Sequence, residues 1–159
     1  MTIDGLMLAR AIHILGLIHW IGGVAVVTTI VLPRARALPD AKQALEAFES
    51  FERQFASQVR VSILLVGLSG VYMLIKLNAW DMLQQAGFWW LHLMIAVWAL
   101  FALMVYVLEP NLIHRRFHEY ALRDKDQAFA VAIGLHLVAL TIAVIAIVSG
   151  VLGAGGAIG

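Results

Sequence analysis

Four long apolar stretches, at 6–32, 59–77, 88–108 and 129–152, alternate with polar segments. Each is close to the ~20 residues that a helix needs to cross the hydrocarbon core of a bilayer. Backbone groups in lipid must be satisfied within their own segment, so the pattern predicts four helices. The second stretch starts beside Arg60 and reads as the continuation of a helix that begins earlier, in the polar segment 33–58. There Pro39 and Asp40 look like a helix start, with Asp40 as N-cap. Ala44, Phe48, Phe51 and Phe55 then recur at helical spacing, with Glu46, Glu49, Glu52 and Arg53 between them. This predicts an amphipathic cytoplasmic helix at the membrane surface that packs on the bundle ends and leads into the second span. The expected fold is all-α: an integral membrane four-helix bundle, one transmembrane domain over 1–159. No repeat, low-complexity segment or second domain is visible, and the glycine-rich end 150–159 reads as a frayed tail.

Lysine and arginine set the expected orientation. Arg34, Arg36, Lys42, Arg53 and Arg60 lie between spans one and two. Arg115, Arg116, Arg123 and Lys125 lie between spans three and four, whereas the remaining connection has only Lys76 beside it. Both basic segments are therefore expected in the cytoplasm, and both termini and the loop 78–87 on the other side. Trp80, Trp89 and Trp90 fit an interfacial aromatic belt there. The first stretch is longer than a signal-peptide core of ~7–15 residues, so it is expected to stay as a span. The expected location is the bacterial inner (cytoplasmic) membrane, crossed several times.

Composition agrees with this pattern. The chain is 62% hydrophobic and 13% charged, against roughly 45–50% and about 25% in soluble domains. It contains no cysteine, which removes disulfides, thiolate metal sites, iron–sulfur clusters and covalent c-type haem. A net charge of +1 gives no reason to expect nucleic acid. The lipid bilayer is the first partner, and sparsely polar faces allow a homo-oligomer.

Ionisable side chains inside a membrane are costly, and each is a functional candidate. Of six histidines, His114 and His118 lie among arginines in a cytoplasmic segment and read as solvated or headgroup-contacting. His13, His19, His92 and His136 lie inside predicted spans, where no acidic residue is available to pair with them. One buried histidine is usually a hydrogen-bonded structural residue. Four in a small bundle point to imidazole ligation of iron or copper. With no cysteine, haem b between helices of the bundle is the leading reading, with copper as the alternative.

Depth suggests a pairing. His13 is seven residues into span one and His92 four residues into span three, which starts from the same side. Their heights should differ by about 5 Å, so the two can face each other across one macrocycle. His19 and His136 differ in depth by roughly 9 Å, which leaves room for a second, weaker pair. His13, Gly16, Trp20 and Gly23 form one stripe at steps of three or four residues, and glycines let a flat ring approach the backbone. Ala96 and Ala99 continue the face of His92. The alternative is that these small residues serve helix–helix packing. Arg10, one turn outward of His13, is placed to pair with a haem propionate or to snorkel at the boundary. Tyr72 and Lys76 are further candidates near the same end.

The run His13-Ile-Leu-Gly-Leu-Ile-His19-Trp20-Ile-Gly-Gly, followed by Leu32-Pro33-Arg34, resembles the first span of two related families. These are the HemJ-type membrane protoporphyrinogen oxidases and the copper-resistance CopD-type membrane proteins. Trp90-Leu91-His92-Leu93-Met94 is similar to the Trp-x-His-x-Lys segment of the HemJ type. The resemblance implies a small helical membrane protein that binds haem b, with His13 as an axial ligand and His92 at the family's third-span histidine. Met94 stands where the HemJ type has a lysine important for activity, which weakens the oxidase reading. His13 with Met94 is a second ligation model, since methionine ligates haem in some cytochromes. The expected function is a membrane cytochrome b with one or two haems, carrying electrons between a donor such as quinol and an outer-face acceptor. The alternatives are a HemJ-like protoporphyrinogen oxidase, a CopD-like copper-handling protein using His13, His92, Met94 and Met7, and a structural subunit of a respiratory complex.

Overall fold

In the computed structural model, which describes residues 4–158, every long segment is helical and no strand is found among the described residues. Residues 1–3, and with them the placing of the N-terminus, lie outside the described residues, as does Gly159 of the glycine-rich end. The Asp4 side chain accepts a hydrogen bond from the Leu6 amide and starts α1, Gly5–Val26. A π-helical segment, Val27–Val31, joins α1 to the short α2, Leu32–Arg36. As expected, the second span continues a helix that begins in the polar segment: α3 runs unbroken over Ala41–Lys76, capped at its start by Asp40. After a left-handed turn at Asn78 (φ 48°), two short 3₁₀ turns lead into α4, Trp89–Leu103. A second π-helical segment, Met104–Ile113, carries the chain directly into α5, His114–Arg123, and α6 is Lys125–Ala154.

The helix expected within 33–58 is present, and most of the polar segment 109–128, where none was expected, is helical too. Pro33 and Pro110 do not stop their helices, because each lies in or just after a wide π turn that accommodates the missing N–H. Thr28 and Thr29 donate to the carbonyls of Val24 and Ala25 at 2.6 and 2.7 Å, satisfying backbone acceptors where the ladder is disturbed. The glycine-rich end is not frayed through its first half. α6 continues to Ala154, and Gly150 and Gly153 let Met94 and Trp90 of α4 lie directly on its backbone.

Four helical runs, Gly5–Arg36, Ala41–Lys76, Ala86–Pro110 and Lys125–Ala154, are long and apolar enough to cross a membrane. They form a ring in which α1 packs on α3, α3 on α4, α4 on α6 and α6 on α1. Large apolar side chains point outward from each run: Leu15, Leu68, Leu100 and Leu135 are all half or more exposed. A water-soluble monomer does not present apolar surface on this scale, so the surroundings are lipid and the chain is a multi-pass membrane protein. The spanning part of α3 is its second half. Its first half, with the α2 end, α5 and the α6 start, builds a separate layer at the arginine-rich end, called the basic end below.

Each layer has its own apolar centre. Inside the bundle Trp20, Ile63, Val66, Val97, Ala143 and Ala146 pack together. At the basic end Leu32, Ala44, Leu45, Phe48, Ala121 and Phe129 do the same. Phe48, Phe117 and Phe129 meet there edge to face with centroids 5.2–6.2 Å apart. Within the basic end, Lys125 donates to the carbonyls of Arg36 (3.0 Å) and Leu38, closing the end of α2 with the start of α6.

Candidate functional site: the span histidines and a charged cleft

The α1–α3 seam holds two of the four span histidines. His13 Nδ1 lies 3.0 Å from both the Val66 carbonyl and Ser69 Oγ on α3. Ser69 gives its own proton to the Leu65 carbonyl at 2.6 Å, so at His13 it accepts. Nδ1 therefore carries the hydrogen, and Nε2 is left as a lone-pair nitrogen with no partner among the described residues. A backbone carbonyl holding one imidazole nitrogen while the other is free is the arrangement found behind metal-ligating histidines. Histidine 19 is held differently. Its Nδ1 faces Ser62 Oγ at 2.8 Å and its Nε2 faces Gln58 Oε1 at 3.3 Å, so both nitrogens are engaged.

His92 is exposed near the α4 start, with Nδ1 3.0 Å from the Phe88 carbonyl and Nε2 2.9 Å from the Leu83 carbonyl. A neutral ring has one N–H and satisfies one of these acceptors. His136 donates Nδ1–H to Ala132 one turn back on α6 at 2.9 Å, leaving its Nε2 free. Each ring of the expected His13–His92 pair has its own anchor: His13 is fastened to α3 and His92 to the turns before α4. The described residues do not gather three or more histidine, aspartate or glutamate side chains into a metal-holding group.

The other candidates are placed as follows. A methyl group on Gly16 would lie 2.7 Å from Val66, and one on Gly23 would overlap the Phe55 ring. The space these glycines open is thus filled by α3, as the packing alternative has it. Trp20 is 2% exposed and stacks edge to face on Phe101 at 4.9 Å. Its indole N–H, like that of Trp90, is buried without an acceptor among the described residues. Met94 lays its sulfur on Gly150 of α6, so it does not share the surroundings of His13. Arg10 is exposed at the bundle end. Ala96 and Ala99 are exposed on α4 and face lipid.

A second polar site appears at the basic end. Glu49, Glu52, Arg53, Arg60, Glu109 and His114 line a cleft of about 330 Å³. Arg60 Nη2 and Glu109 Oε2 pair at 2.9 Å, and Tyr106 donates its hydroxyl hydrogen to the Arg60 carbonyl at 2.6 Å. His114 lies 3.6 Å from Glu52 and 3.8 Å from Glu49, and His118 lies 4.0 Å from Glu49. Burial, then the Glu109 and Glu49 carboxylates, push the Glu52 carboxyl above its ordinary value, with His114 acting in the opposite sense. Sequence reasoning missed this site and left His114 and His118 to solvent or lipid headgroups. The available signals were Glu46, Glu49 and Glu52 at three-residue steps and the i,i+4 pair of histidines. Nothing in the sequence says that these segments, more than sixty residues apart, face each other.

No family model, curated protein or solved structure matches this chain.

Proposed function

We propose that this protein is a membrane cytochrome that binds haem b and passes electrons between a membrane donor such as quinol and an acceptor at the bundle end opposite the basic end. The observation that carries the reading is His13: its Nδ1–H is donated to the Val66 carbonyl and Ser69 hydroxyl, which leaves Nε2 with a free lone pair inside the membrane. His136 has the same arrangement. The donor chemistry of these two residues fits an iron ligand. His19 has both nitrogens engaged, whereas His92 faces two carbonyls and donates to only one of them, so it serves as a second ligand through Nε2 only by turning that nitrogen away from the Leu83 carbonyl. A bound haem would supply reversible one-electron chemistry, and the protein would supply its position and surroundings. The resemblance of 13–34 and 90–94 to the HemJ and CopD types points the same way. The copper alternative would require Met94 to leave Gly150.

In the same reading the membrane is the bacterial inner membrane, with the basic end in the cytoplasm. The test is a reduced-minus-oxidised spectrum of protein purified in detergent from haem-replete cells. The wild type and His114→Ala should show a b-type spectrum, and His13→Ala should lose it. A colourless wild type would end the proposal.

A further inference from the structure

The cleft at the basic end has no part in the reading above. α5 is docked there along two edges. On one edge Phe117 and Ala121 sit in the apolar cluster with Phe48 and Phe129. On the other, the rings of His114 and His118 face Glu49 and Glu52 at 3.6–4.0 Å. These separations are too long for hydrogen bonds between neutral partners and short enough for ion pairs once a ring is protonated.

We propose that this second edge is a proton-operated clasp: the rings of His114 and His118 pair with the Glu49 and Glu52 carboxylates when a proton is held between ring and carboxylate, closing α5 on α3, and part from them when it is lost, so the basic end is tight at acidic pH and loose at alkaline pH. The proposal is independent of haem.

The surrounding charges give the sign. From α3, Arg53 and Arg60 also line the cleft, and Arg60 is held by Glu109 of the π-helical segment. Lys42 and Glu46 lie in the adjoining groove with Glu49 and His118. From α6, Lys125 and Asp126 are engaged at the α2 end, with Arg36 and the Leu38 carbonyl. With both rings neutral, three carboxylates, Glu49, Glu52 and Glu109, therefore crowd one cleft. Each proton added to an imidazole turns a repulsive or indifferent contact into an attractive one. Burial and the Glu109 and Glu49 charges work against a bare Glu52 carboxylate, and His114 beside it acts in the opposite sense. A group that binds its proton more tightly when docked supports docking at low pH and loses that contribution as pH rises.

The chain has no cysteine, so spin labels at Lys42→Cys and Leu122→Cys, which line one groove between α3 and α5, report this edge alone. Label–label distances are measured by pulsed electron resonance in nanodiscs from about pH 5.5 to 9, spanning the histidine range. A short, narrow distance distribution at the acid end should give way to a longer, broader one, the closed-to-open ratio falling by up to about tenfold per pH unit for each proton exchanged. In the fourfold variant Glu49→Gln, Glu52→Gln, His114→Gln, His118→Gln the distribution should be the same at every pH. A labelled wild type that does not respond to pH overturns the proposal, as does an undiminished response in the fourfold variant. If the fourfold variant does not elute as a folded bundle, His114→Gln alone decides: it must diminish the response, and an undiminished one overturns the proposal.

Discussion

His13 and His19 stand six residues apart on one helix and face the same neighbour, yet their rings are held in opposite ways. At His13 the serine partner has already given its hydrogen to a carbonyl, so the imidazole donates and keeps one nitrogen free. At His19 serine and glutamine occupy both nitrogens, which makes the ring an interhelical tie. Such ties contribute roughly 0.6–2 kcal/mol in a membrane. His19→Leu should therefore lower the thermal unfolding temperature in detergent without changing the haem-to-protein ratio, whereas a matching loss of haem would make His19 a ligand. Neither role was legible in the sequence. The histidines could be counted and placed at a depth, but their tautomers depend on Ser62, Ser69 and Gln58, which lie 39 to 56 residues away and whose register only packing fixes. The stripe of Gly16, Trp20 and Gly23 was legible as a face, and its neighbour turned out to be α3.

At the scale of elements, the spans were the easiest part to read, because lipid requires an unbroken apolar stretch and tolerates few substitutes. Asp40 as an N-cap was legible for the same kind of reason, since a short polar side chain before a periodic segment has few other uses. The continuity of the helices through Pro33 and Pro110 was not, because proline is ordinarily a stop and the π turns that absorb it leave no mark in local propensity. What fastens α5 is the aromatic group around Phe129, which is fully buried. Phe129→Ala should cost about 3–5 kcal/mol, measured by chemical unfolding in detergent, and should expose α5 amides to hydrogen exchange before those of the spans. Equal protection of α5 and the spans in this variant would mean that the polar edge holds α5 unaided.

For the whole molecule, the uneven distribution of Arg34, Arg36, Arg115, Arg116 and Arg123 gives a direction to a bundle whose apolar faces have none. On the proposed orientation, Asp81→Cys on intact cells should react with a membrane-impermeant maleimide, and Glu119→Cys should react only after permeabilisation. The reverse pattern would invert the protein and move the acceptor side with it. The hold of Lys125 on the carbonyls of Arg36 and Leu38 also bears on biogenesis. Synthesis runs from the N-terminus, so these acceptors leave the ribosome nearly ninety residues before their donor does. Until the last span arrives, the first half of the chain is an unfinished product with an open seam, and a nascent chain truncated before that lysine would be marked for removal by the same gap.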